Sequence, residues 1–253
     1  MYKRQVIGRP VRFGDVQGVI GIKAVHLTTA AERRTMPKTK DLYIDIGAAS
    51  KAAAEDKVSL GDYGVFDSAV VEFGDGLIKA KAIDDRVGCA ALLKLIEDEP
   101  PIDTWFCFTV QEEVGLRGAA SMAYALDPGF AMVLEGTTAA DLAEVEGGKA
   151  VCRVRGGVVL PFMDGATIYD AELFELLRNA CDKRGIRWQT KTRVAGGTDA
   201  GRIHKSRAGV RVCAAAAPVR YIHSPSSVAA VADCEAVLSA ARAFLEELGG
   251  DDE

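Results

Sequence analysis

Two pairs of adjacent carboxylates, Asp84-Asp85 and Glu112-Glu113, are the residues of this chain whose types and spacing most plainly suit chemistry. Asp84 and Asp85 stand at the mouth of an apolar segment, where an isolated pair would serve to cap a helix. Glu112 and Glu113 follow directly on the apolar run Trp105-Phe-Cys-Phe-Thr-Val110. That run reads as a fully buried strand, and carboxylates at the carboxyl end of such a strand sit where open α/β sheets bind ligands. Four acids cannot share one site without a cation to neutralise them, so the pattern points to metal.

Of the three histidines, His223 in Tyr221-Ile-His-Ser-Pro225, after the apolar run Val212–Pro218 and before the last helix, would by itself read as a loop histidine; with Asp84 and Glu113 also at the ends of central elements, ligation is the better reading. His204 reads as a helix-surface or packing residue, and His26 lies inside a β-rich part of the chain. Glu135 closes the apolar run Phe130–Glu135, either as a ligand or as a strand-end carboxylate that caps the loop; Asp141 is a similar candidate further along that loop. The turn Gly196-Gly-Thr-Asp-Ala-Gly201 lacks the lysine of a phosphate-binding loop.

The elements that must position these groups divide the chain in two. Residues 1–79 carry short alternating stretches, Val16–Ile22, Asp41–Ile46, Tyr63–Phe66 and Ala69–Phe73, broken by Gly61-Asp62 and Gly74-Asp75-Gly76, with one helix over Ser50–Val58. They read as a small β module. Residues 80–253 alternate helices (86–98, 117–126, 170–184, 226–248) with strands near 105–110, 130–135, 150–155 and 208–215, an α/β layer pattern. In the last helix Val231, Cys234, Leu238, Ala241, Leu245 and Leu248 define one apolar face, with Ser226 or Ser227 as N-cap.

Composition narrows the partners. A net charge of −5 gives no footing for nucleic acid or an anionic membrane, and no apolar run is long enough to span a bilayer. Six widely spaced cysteines, most of them within apolar segments, suit buried thiols rather than a disulfide framework. With no signal-peptide pattern at the start, a cytoplasmic protein is expected.

The stretches Ala82-Ile-Asp-Asp-Arg-Val-Gly88, Val110-Gln-Glu-Glu-Val-Gly115, Leu134-Glu-Gly-Thr-Thr138, Gly196-Gly-Thr-Asp-Ala200 and Arg220-Tyr-Ile-His-Ser-Pro225 resemble, in order and spacing, the TET-type dinuclear-metal aminopeptidases, also named glutamyl or deblocking aminopeptidases. The resemblance implies a three-layer α/β metallopeptidase (phosphorylase/hydrolase-like) catalytic domain with an inserted small β-barrel for oligomerisation, up to a dimer-based dodecamer. It implies peptide substrates and two divalent ions, zinc or cobalt foremost and manganese as a further choice. Asp84 would bridge the two ions, with a cis peptide bond to Asp85. Glu113 and His223 would complete one site, Glu135 would ligate the other, and Glu112 would be the general base towards metal-activated water. Thr198 and Asp199 resemble substrate-pocket residues.

One departure stands against these matches. The family's second metal takes a histidine from a His-x-Asp motif ahead of the β module, and this chain has none. The resemblance therefore implies a chain lacking its N-terminal segment, with an incomplete second site, impaired activity and exposed apolar surface near Trp105–Val110. Met1-Tyr-Lys-Arg-Gln5, which can be encoded by the end of a sequencing-library adapter, fits that expectation. Competing readings are a related dinuclear carboxypeptidase or deacylase, and a non-catalytic assembly or binding fragment.

Overall fold

Alternating residues and glycine turns build the first part of the chain as strands. The computed structural model describes residues 6–250, so Met1–Gln5 lies outside the described residues. β1 (Pro10–Phe13) and β2 (Val16–Ile22) form a hairpin, followed by α1 (Ala30–Arg34), β3 (Leu42–Asp45), α2 (Lys51–Glu55) and β4 (Val65–Phe66). The strands pair antiparallel in the order β3-β2-β1-β4 around Val6, Val11 and Ile20. Ser50 starts α2 by accepting the Ala53 N–H. His26 is exposed in a short 3-10 turn, Val25–Leu27.

A second hairpin, β5 (Val71–Phe73) and β6 (Leu77–Ala80), leads into α3 (Ile83–Glu97), α4 (Arg117–Leu126) and β7 (Phe130–Thr138). Then come β8 (Val158–Val159), α5 (Ala171–Lys183), β9 (Trp188–Gln189), α6 (Ala200–Ile203), β10 (Arg211–Val219), β11 (Ser227–Ala230) and α7 (Val231–Gly249). The central sheet runs β7-β10-β8-β9, with β7 and β10 parallel over nine residue pairs from Phe130–Arg211 to Thr138–Val219. A third sheet, β11-β6-β5, joins the hairpin before α3 to the strand before α7.

Side-chain alternation along β10 feeds two cores. Cys213, Ala215, Ala217 and Val219 pack with α3, α5 and α7; Val212 and Ala214 pack with α4 and α6. Helices thus cover both faces of the central sheet, a mixed α/β architecture. The larger core centres on Phe244, fully buried and edge-on to Phe130 at 6.2 Å.

Four sequence expectations change. Residues 105–110 form no strand, because an apolar run becomes a strand only beside a partner and the described residues supply none; the exposure of Trp105 (75%), Phe108 (47%) and Val110 (67%) agrees with the apolar surface expected there. Residues 150–155 form no strand either; Gly147–Ala150 turns as a 3-10 helix instead. Ser227 lies in β11, pairing with Ala80, and the N-cap of α7 is Ala230. The buried face of α7 is Val237, Ala240, Ala241 and Phe244, which leaves Val231 exposed.

Candidate metal centre

Asp84 enters the site because α3 starts irregularly. Ala82 has a left-handed backbone, Asp84 and Asp85 are non-helical, and the Asp84–Asp85 peptide bond is cis. Two close backbone approaches fix the start of this helix on β7. A Cβ on Gly88 would lie 2.2 Å from the Leu134 carbonyl oxygen, and a Cβ on Gly136 would lie 2.9 Å from the Asp84 Cβ. Only glycine permits either approach. The Gly136 N–H hydrogen-bonds to Asp84, and the Gly88 N–H donates to Asp85 Oδ1 at 2.9 Å.

Glu112 and Glu113 stand in the loop ahead of α4. Gln111 and Leu116 are both left-handed, and the loop closes on itself through Gly115 and Leu116 N–H to the Glu112 carbonyl (3.0 and 2.9 Å). His223 lies in the loop between β10 and β11 and is left-handed too, as is Tyr221. Each such residue costs roughly 1–2 kcal/mol, so all three site-bearing loops are held by their surroundings rather than by local preference. At the base of the His223 loop, Arg220 grips Asp141 with two hydrogen bonds of 2.7 Å, while Asp141 also accepts the Val154 N–H. Asp141 is therefore an anchor for this loop.

Three donors converge here. His223 Nε2 is 3.5 Å from Asp84 Oδ2 and 3.3 Å from Glu113 Oε2, and the three ligand atoms lie within 4.8 Å of one another. Burial and the Glu113 carboxylate push the Asp84 carboxyl up to about 6. Burial also lifts Asp85 to about 8. Glu112 rises to about 7 through burial and then through Asp84, Glu113 and Asp199. Carboxylates held together against such repulsion, with an imidazole nitrogen aimed between two of them, form a donor set that fits a divalent cation, whose charge reverses that field.

Glu135 is not part of this convergent group. It lies inside β7 rather than at its end, and alternation puts its side chain on the face shared with Ala131 and Val133, within electrostatic reach of Asp84, Asp85 and Glu112. Burial drives its carboxyl well above the usual range, opposed by the ammonium of Lys191. Lys191 is itself buried and donates to the Ala195 carbonyl at 3.2 Å. A lone lysine in Gln189-Thr-Lys-Thr192 offers no local sign of that position. Thr198 and Asp199 are both buried, at 1% and 7% exposure. The Thr198 hydroxyl is 3.3 Å from the Tyr169 hydroxyl, which donates to Asp164. Asp199 accepts the Thr109 hydroxyl. His204 caps α6, its Nδ1 at 2.7 Å from the Ala200 carbonyl.

Comparison with known proteins places this geometry in context. The M42 glutamyl aminopeptidase profile matches residues 2–239. A provisionally named aminopeptidase of Acetivibrio thermocellus is 36% identical over 229 residues, which span 90% of this chain and 67% of that protein. Aminopeptidase APDkam598 from the archaeon Desulfurococcus kamchatkensis superposes with a TM-score of 0.89 at 34% identity, covering 96% of this chain and 70% of that one. The Pyrococcus horikoshii TET1 peptidase, which can assemble into a tetrahedron or a large octahedral shell, gives 0.79 at 27% identity, covering 96% and 73%.

Proposed function

The chain belongs to the M42 glutamyl aminopeptidase family of metallo-aminopeptidases, and from that premise we propose that this site removes N-terminal residues from peptides by hydrolysis. The observation that carries the reading is the meeting of Asp84, Glu113 and His223, drawn from three distant stretches of chain, with Glu112 next to one of them. These three side chains would hold one divalent cation, for which the family resemblance puts zinc and cobalt first and manganese after them. Asp84 and Glu135 are the donors offered to a second, which two carboxylates hold more weakly. A cation so placed supplies Lewis-acid polarisation and acidifies water near neutral pH.

Glu112 is the proton carrier. It is a neighbour rather than a member of the donor group, and its carboxylate can accept a proton from the attacking water and deliver it to the leaving amine nitrogen. Self-association through the N-terminal sheet belongs to the same reading; Tyr43 (55%) and Ile44 (40%) are exposed on β3.

The test is to strip the protein with chelator, reload it with zinc, cobalt or manganese, and follow hydrolysis of aminoacyl-p-nitroanilides and of a short peptide. Release of the first residue from a free N-terminus, with none from its N-acetyl form, supports an aminopeptidase. Absence of turnover with all three metals, or preferential release from the carboxyl end, overturns it. Elemental analysis should find one firmly held ion per chain.

A further inference from the structure

The loop that carries Glu112 and Glu113 is fastened unequally on its two sides. Downstream, backbone bonds tie it to α4: Gly118 N–H to the Val110 carbonyl at 2.9 Å, Arg117 N–H to that of Gln111 at 3.2 Å, and Leu116 N–H to that of Glu112 at 2.9 Å. Upstream, residues 103–109 belong to no strand. The side-chain hydrogen bonds from Thr104 (to the Ile102 carbonyl, 2.8 Å) and Cys107 (to the Trp105 carbonyl, 3.9 Å) are local and hold nothing to the rest of the fold.

Phe106 packs on the main core, and one hydrogen bond from this stretch reaches across the fold. The Thr109 hydroxyl donates to Asp199 Oδ2 at 2.5 Å, joining residues 90 positions apart. Asp199 stands on a rigid base. It is 7% exposed, its carbonyl accepts the N–H groups of Arg202 and Ile203 at 2.9 and 3.0 Å, and α6 behind it packs on α4, β7 and β10. Its other carboxylate oxygen, Oδ1, is buried with no hydrogen-bond partner in the protein. A buried carboxylate so close to Asp85 and Glu112 is electrostatically unfavourable. What Asp199 adds is an acceptor for Thr109.

We infer that the Thr109–Asp199 hydrogen bond is the positioning tether of the Glu112-Glu113 loop. Thr109 is three residues from the base and four from the ligand, so its freedom becomes theirs. A misplacement of about 1 Å at such groups costs up to roughly 100-fold in rate. The kinetic arm of this inference rests on the aminopeptidase reading; the structural arm does not.

The experiment compares Thr109→Val, isosteric but without the hydroxyl, with Thr109→Ser, which restores it. In the metal-free protein, hydrogen exchange at the Gly115, Leu116 and Gly118 amides should speed up roughly 10-fold in Thr109→Val and return towards wild type in Thr109→Ser, with helical circular dichroism unchanged. In the metal-loaded protein, Thr109→Val should lower kcat about 10- to 100-fold with little change in KM, again rescued by serine. Adding Asp199→Ala to Thr109→Val should be no worse than Asp199→Ala alone, because both break one bond. If Thr109→Val fails to fold, Asp199→Ala breaks the same bond from the other end and gives the same exchange readout. Wild-type exchange at those three amides in the variant overturns the tether. Additive losses in the double variant overturn it too, by giving Asp199 a role of its own. A wild type that hydrolyses nothing defeats the aminopeptidase reading and leaves the exchange arm to decide the tether.

Discussion

Replacing His223 by alanine removes one of three convergent donors, and the size of the effect follows from that count. Protein zinc sites with four ligands bind with about 10–16 kcal/mol, or about 2.5–4 kcal/mol per ligand, so one lost imidazole should weaken binding about 10²–10³-fold. The His223 side chain is 58% exposed, so its truncation opens no buried cavity and the fold should survive. Equilibrium dialysis with zinc or cobalt against a competing chelator measures the change directly. Thermal unfolding gives a second reading. A cation at about 100 times the wild-type Kd adds about 2.7 kcal/mol. In a chain of this size that is an upshift of roughly 5–10 °C. In the variant the same concentration should yield less than about 2 °C. An unchanged Kd, or an undiminished upshift, refutes His223 as a ligand.

Glu112→Gln should retain the cation but lose about 10²–10⁴-fold in kcat, since an amide cannot accept the proton; a loss below 10-fold moves the base elsewhere. Asp170 accepts two hydrogen bonds of 2.8 Å from Arg211, and this grip lowers its carboxyl to about 2. A lowered folded pKa means stability present above the ordinary aspartate value and lost as pH falls towards 2. Asp170→Asn keeps the N-cap of α5, so wild type should be more stable by about 1 kcal/mol at pH 6, after discounting for solvent, with the gap closing near pH 2 in urea titrations. Asp233, buried in α7, accepts the N–H groups of Arg155 and Gly157 at 2.6 and 2.8 Å. Asp233→Ala orphans both and should cost about 3–5 kcal/mol; a loss under 1 kcal/mol would mean that water replaces the carboxylate.

What the sequence disclosed depended on how local the cause was. β2 matches its alternating stretch residue for residue, and α4 and α5 agree with their expected spans to within one residue at each end, because periodicity and turn residues act within a few positions. The two-residue strands β8 and β9 carry too little pattern to read, and Trp105–Val110 looked like a buried strand because composition cannot say whether a neighbour exists. Ser227 looked like a cap because its pairing with Ala80 is set from the other end of the chain. At the site, the acidic pairs and His223 declared themselves by type and order. The groups that hold them did not: Asp141 serves Arg220, Asp199 serves Thr109, and Lys191 offsets Glu135 across spans that no local pattern records.

The seating of α3 on β7 bears on how this protein tolerates change. Gly88 and Gly136 donate no side chain, yet a single methyl at either would drive into the Leu134 carbonyl or into Asp84. The helix would have to lift off the sheet, taking Asp84 with it. In a saturation screen scored on activity, these two positions should reject nearly every substitution as strictly as the ligands do. A ranking of intolerant positions would then mix groups that do chemistry with groups whose contribution is to occupy no volume.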